Sequence, residues 1–143
     1  NTVLYLDRVE TAWPLRIQLG AGSRVPLYAS ASGKLFLSAM PKRSRDRFLT
    51  QTPLIAHTSH TLTDAKRLNN EFNAIRERGY SIDNEEYLPG ICCIAVPVRN
   101  ADGKVVAGLA VQAPTTRMRP EQGLDYLPAL RQAADAITAT IDW

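Results

Sequence analysis

The chain has 143 residues, 45% of them apolar and 22% charged, with 17 Lys and Arg against 14 Asp and Glu for a net charge of +3. Those fractions are typical of a globular domain, and a chain of this length can bury about 70% of its unfolded surface, which excludes disordered, collagen-like and coiled-coil readings. The mild charge draws it to neither nucleic acid nor membrane, and no apolar run approaches the roughly 20 residues of a membrane-spanning helix.

The chain opens without an initiator Met, which fits a piece of a longer protein. Asn1 to Glu10 has neither the basic nor the long apolar segment of a secretion signal. Thr2 to Glu10, rich in β-branched and aromatic residues, reads as a strand. Pro14 to Leu19 reads as a second, because Leu15, Ile17 and Leu19 alternate with Arg16 and Gln18. After the turn at Gly20 to Ser23, the small residues of Ala29 to Gly33 lead into a helix over Leu35 to Met40, with Ser30 or Ser32 as its N-cap. Pro41 ends that helix or starts the next, a short basic one from Lys42 to Leu49. Thr50 to Leu62 follows neither period and reads mostly as loop. Thr63 then caps a helix whose apolar face is Ala65, Leu68, Phe72 and Ile75, and Gly79 closes it.

From Tyr80 the pattern is extended through Asn84, turns at Pro89-Gly90, and continues as the apolar run Ile91 to Val98. Asp102-Gly103 is hairpin chemistry, and Val105 to Gln112 is the return strand. A last helix starts near Pro120 and carries the stripe Leu127, Leu130, Ala134, Ile137 and Ile141, read as core. Two hairpins with helices between them argue for a single α+β domain over residues 1–143, an antiparallel sheet of about five to six strands flanked by helices. The second hairpin also fixes faces. A turn centred near Ala101 to Asp102, or one residue later, places Ile91, Cys93 and Ala95 with Gly108, Ala110 and Gln112. Cys92, Ile94 and Val96 then share the opposite face with Ala107, Leu109 and Val111, unless a one-residue bulge reverses the assignment. The second face is uniformly apolar and suits a core. The first mixes a thiol, an amide and small residues, as a pocket floor does.

Chemistry-bearing residues are few. Cys92 and Cys93 are adjacent, which suits neither a disulfide framework nor a Cys-x-x-Cys site and favours a reducing compartment, the cytoplasm. Cys93 as a nucleophile needs a base, and only His57 and His60 exist, far away in a loop; a buried apolar contact is the better reading. His57, His60 and Asp64 read as a polar loop rather than a metal site. Glu85 and Glu86 read as a solvated turn, and Lys42, Arg43, Arg45 and Arg47 as a solvated helix surface. The first amides of a helix entered at Ser30 to Gly33 can hold an anion, or that stretch is an ordinary cap. Asp83 can orient a hydroxyl or amine of a ligand, or bond its own turn.

Three stretches, Pro26 to Lys34, Gly79 to Glu86 and Gly90 to Val98, followed by Asp102-Gly103 and Val105 to Pro114, resemble the effector-binding domain of IclR-type bacterial transcriptional regulators. The resemblance covers essentially the whole chain. It implies a GAF-like or profilin-like α/β domain that follows an N-terminal winged helix-turn-helix, a unit for which no room exists ahead of Thr2. It further implies a small organic or aromatic acid held between sheet and first helix by Ala31, Ser32, Asp83, Cys93, Ala110 and Gln112, with Val25 and Ile91 as apolar walls. Members that sense small keto acids carry hydroxyl residues where this chain has Ala110 and Gln112, and Gly-Ala where it has Ala31-Ser32, so effector identity does not transfer.

The expected function is therefore a sensor: a small carboxylate binds, shifts an arrangement of domains or subunits, and so alters DNA binding by the missing reader. Catalysis, cofactors, metal and membrane have no place in it, and self-association as a dimer or tetramer is expected by resemblance. The rival readings are a small Cys93-dependent hydrolase or transferase and a ligand-free oligomerisation module.

Overall fold

The computed structural model describes residues 1–15 and 17–141. In chain order it holds strands β1 (Thr2–Leu4) and β2 (Arg24–Pro26), helices α1 (Ala31–Ala39), α2 (Lys42–Gln51) and α3 (Ala65–Arg78), strands β3 (Ser81–Asn84), β4 (Ile91–Arg99) and β5 (Val105–Pro114), and helices α4 (Pro120–Gly123) and α5 (Leu127–Thr140). The five strands form two antiparallel sheets, a β1-β2 ribbon and a β3-β4-β5 sheet, where a single sheet was expected. The mixed α+β class stands.

The largest departure lies at the start. Of the two long N-terminal strands expected, only Thr2–Leu4 forms, and it pairs with Arg24–Pro26, a segment read as turn and helix entry. Tyr5 N–H to the Ser23 carbonyl and Gly22 N–H to the Tyr5 carbonyl extend the ladder briefly. Pro14 to Leu19 is not strand at any described position, and Arg16 lies outside the described residues. Alternation fails there because it needs a face to bury: Leu6, Val9, Trp13 and Leu15 are all exposed. The loop is held by long side chains instead, Arg8 donating to the Ile17 carbonyl and Arg117 to the Leu15 carbonyl.

Ser30 caps α1, its hydroxyl accepting from Gly33 N–H and donating to the Pro26 carbonyl. Gly33 is required by close approach: a Cβ there would lie 2.2 Å from the Leu27 carbonyl oxygen. The cap of α3 is Asp64, one residue after the expected Thr63, because its carboxylate accepts from Arg67 N–H. Gly79 ends α3 at φ 79°. Leu27, Leu35, Leu37, Phe48, Leu68, Phe72 and Ile75 form the core between α1, α2 and α3.

The β4–β5 register decides the site. Cys93 faces Gln112, Ala95 faces Ala110 and Val96 faces Leu109, the odd-sum pairing expected. A register shift near Val98 and Arg99, next to the turn, sets that sum for the rest of the hairpin. Ile94, Val96 and Val98 pack with Leu127, Leu130 and Ala134 of α5 into a second core, and Cys93 and Ala95 pack with Ala31 of α1 on the other face.

Candidate functional site

The site is built on one row of the three-stranded sheet. Asp83 on β3 pairs with Cys93 on β4, and Cys93 with Gln112 on β5. Directly opposed residues share a face, so a carboxyl, a thiol and an amide stand side by side. The next row is Ser81, Ala95 and Ala110, and in the other direction Ile91 faces Pro114. Over this face lies the leading end of α1. Ala31 packs against Cys93 and Ala95, and the Ser32 hydroxyl lies 3.3 Å from where a Gly108 Cβ would stand. Ala31 and Ser32 are the first two residues of α1, whose amides precede any intrahelical acceptor.

Of the eight residues expected at the site, the structure brings Asp83, Cys93, Gln112, Ala31, Ala110, Ser32 and Ile91 to this face. Ala31, Ser32, Asp83 and Cys93 are buried, whereas Ala110 is exposed on the edge strand. Val25 is buried too, but in the β1-β2 ribbon opposite Val3, where no described contact joins it to the row.

Burial sets the protonation of this row. Desolvation and the neighbouring Glu86 carboxylate push the Asp83 carboxyl up to about 7, against Glu86 and Tyr87 N–H bonds and Lys34, which favour the charge. Asp83 Oδ1 accepts from Glu86 N–H at 2.7 Å. Burial and Asp83 hold the Cys93 thiol well above its ordinary range. The buried hydroxyl of Ser81 and Oε2 of Glu86 have no hydrogen-bond partner.

Several residues of the site carry no sequence signal that singles them out. Lys34, on the first turns of α1, is 1% exposed and pairs with Glu86 Oε1 at 2.8 Å and Glu71 Oε1 at 3.4 Å. Glu86 is thus buried in an ion pair, which corrects the reading of Glu85-Glu86 as a solvated turn; Glu85 keeps the left-handed φ of 57° that makes the turn. Arg78 completes the network on Glu71 at 2.9 Å. Tyr5 carries no signal in the sequence beyond strand propensity. Its phenol stands beside the Gln112 side chain, and burial with nearby Cys93 and Asp83 raises its pKa.

The histidine loop serves this turn. Thr61 donates to the Glu86 carbonyl, Thr58 donates to the Glu85 carbonyl, and His60 Nδ1 lies 3.1 Å from the Asn84 carbonyl. His57 Nε2 is 3.0 Å from the Tyr28 hydroxyl, with its ring edge-on to Tyr87. Both imidazoles are thus engaged in packing the loop. Among the described residues no group of three His, Cys, Asp or Glu side chains could hold a metal ion. The basic cluster divides, with Lys42, Arg43 and Arg47 exposed as expected and Arg45 buried. Among the described residues no helix is long and apolar enough to cross a membrane.

Residues 1–139 match the family model for the bacterial transcriptional regulator IclR C-terminal domain. A relative described as "Probable transcriptional regulator SauR", from Cupriavidus necator, is 46% identical over 140 residues, which are 98% of this chain and 56% of that protein. The HTH-type transcriptional regulator KdgR of Escherichia coli is 33% identical over 143 residues, 100% of this chain and 54% of KdgR. The chain therefore spans little more than half the length of these regulators. Among solved structures, a double mutant of the PobR inducer-binding domain from Acinetobacter, in complex with 3-hydroxybenzoic acid, matches with a TM-score of 0.83 and 28% identity, covering 98% of this chain and 87% of its own. By family match, relatives and shared GAF-like α+β fold together, the chain belongs to the IclR family of bacterial transcriptional regulators, as their C-terminal effector-binding domain.

Proposed function

We propose that the chain binds a small organic acid bearing a second polar group, on the row Asp83, Cys93 and Gln112 beneath the leading end of α1. The observation that carries this reading is the row itself: three adjacent polar side chains on one sheet face, covered by small residues and unpaired helix amides. The acid's carboxylate faces the Ala31 and Ser32 amides, which carry the positive end of the α1 dipole. Its hydroxyl or other polar group faces Asp83 and Gln112. A carboxyl near half-protonation at neutral pH can donate or accept there and does not repel an anion as a fixed charge does. The hydroxy acid bound by the PobR domain has this two-ended chemistry. Ile91 acts as an apolar wall, and Ala110 leaves room at the open edge.

On this reading the acid is held and not transformed. A thiol kept protonated, with both histidines occupied elsewhere, is unsuited to nucleophilic attack. In the whole regulator the acid favours one arrangement of a homodimer or homotetramer, and an HTH reader of the KdgR type transmits that choice to DNA. The protein works in the cytoplasm. A thermal-denaturation screen of small carboxylates and hydroxybenzoates tests the site. At 100 times its dissociation constant an acid adds about 2.7 kcal/mol of stability. Ser32→Trp and Asp83→Ala should each abolish that gain with no product detectable after incubation; gains that survive both variants overturn the assignment.

A further inference from the structure

A cleft of about 700 Å³ lies at the other end of α1, between its last turn, the start of α2, the end of α3 and the β4–β5 hairpin. Its lining starts at Leu35, about 6 Å along the helix axis from Ala31, and runs past the helix end at Ala39, about 12 Å away. Four of its lining residues are cationic, Arg45, Arg76, Arg99 and Lys104, and none is acidic. Two of them converge on the helix end, Arg45 donating to the Met40 carbonyl at 2.9 Å and Arg76 to the Ser38 carbonyl at 2.9 Å. Those carbonyls are the unpaired acceptors of a helix C-terminus, whose partial negative charge helps gather the guanidiniums. That charge is small beside two full cations. The nearest carboxylate in sequence, Asp46, is taken by Lys42. Arg45 is only 9% exposed, and its Nε has no hydrogen-bond partner. That atom is sealed from solvent, so what Arg45 offers the cleft is its charge and the rest of its planar fork, with no carboxylate among the lining residues to neutralise it. Arg99 and Lys104 are exposed at the rim.

We propose that this cleft is a second ligand site, which takes a small oxyanion: a metabolite bearing a phosphate or a pair of carboxylates. The buried Arg45 guanidinium forms its inner wall, where a planar donor suits oxyanion geometry, and the exposed Arg76, Arg99 and Lys104 supply the outer charge. Because α1 begins at the Asp83 row and ends in this cleft, an anion here grips the same helix from its far end.

The test is isothermal titration calorimetry of the 143-residue chain with three probes at low salt: inorganic phosphate, pyrophosphate and malonate. Saturable binding of at least one probe is expected. Arg99→Ala combined with Lys104→Ala, both at exposed positions, should weaken it by about tenfold or more. Asp83→Asn should leave it unchanged, which separates this site from the proposed acid site. Arg45→Lys, which keeps the charge and removes the planar fork, should weaken it as well. Pyrophosphate binding without malonate identifies a phosphate ligand, and the reverse a dicarboxylate. Saturation by no probe, an affinity indifferent to the rim variant, or equal loss in Asp83→Asn overturns the proposal.

Discussion

The two faces of β4 differ in what they are made to do. The even-numbered residues Ile94, Val96 and Val98 are buried against Leu127, Leu130 and Ala134, a purely apolar contact. The odd-numbered Cys93 and Ala95 lie under α1 with Asp83 and Gln112 beside them and the Lys34–Glu86 pair nearby. A strand alternates faces at every residue, so nine residues of β4 serve stability on one side and chemistry on the other. The apolar face is stabilised by area, which tolerates approximate shapes. The polar face holds charges out of water, and its stability depends on every partner being present.

The strongest way to break this contrast is at the ion pair. Lys34→Met leaves Glu86 buried without its ammonium, and urea denaturation should show a loss of about 3–5 kcal/mol. Adding Glu86→Leu should restore much of that, because an apolar pair requires no desolvation of charge. On the other face, Ile94→Ala should cost about 2–5 kcal/mol by the same measurement, through lost area and a cavity, and a second truncation against it should not rescue. Rescue on one side and none on the other is the expected signature of the two faces.

A smaller effect follows from Asp83. Its carboxyl ionises near 7 in the fold and near 3.8 in the unfolded chain, so between those values the folded state binds more protons. Stability falls as pH climbs from about 3.8 to about 7 and the cost then persists above. Asp83→Asn removes that slope while keeping an oxygen for the Glu86 amide. The variant should match the parent at pH 4 and exceed it by a few kcal/mol at pH 8, read from denaturation midpoints across pH. A parallel decline in both proteins would place the charged form of Asp83 in a better-solvated setting than its burial implies.

Which parts of this were legible in the sequence follows from the range of the forces involved. The β4–β5 hairpin is local, so Asp102-Gly103 and the period of two were enough to pair Cys93 with Gln112. Helices α1 and α3 are likewise written in their caps and apolar spacing, and α5 in apolar spacing alone. The N-terminal alternation yields little strand because it reports a possible face and not the presence of something to cover it; Val9 is fully exposed. Lys34 looks like any helix lysine, and its burial is decided by Glu86, 52 residues away. Tyr5 reaches Gln112 across the whole chain, and no pattern within either segment announces that. Long-range polar partnerships of this kind are set by tertiary placement, which is why they escaped a reading built on local period.

The finest probe of the comparison is one residue wide. Cys92 and Cys93 are adjacent, both buried and both free thiols with pKa values raised by burial, Cys92 to about 11. They point to opposite faces. Cys92→Ser puts a hydroxyl on the apolar side, and leaving it without a partner should cost about 1–3 kcal/mol. Cys93→Ser puts the same hydroxyl between Asp83 and Gln112, where a donor or an acceptor is at hand, and should cost less than about 1 kcal/mol. Acid affinity should then separate the pair in the opposite sense, with Cys93→Ser changing it and Cys92→Ser leaving it alone. Equal stability losses would mean that the row beside Cys93 is already saturated with its own hydrogen bonds, and the polar face would then be a second core with no vacancy for a ligand.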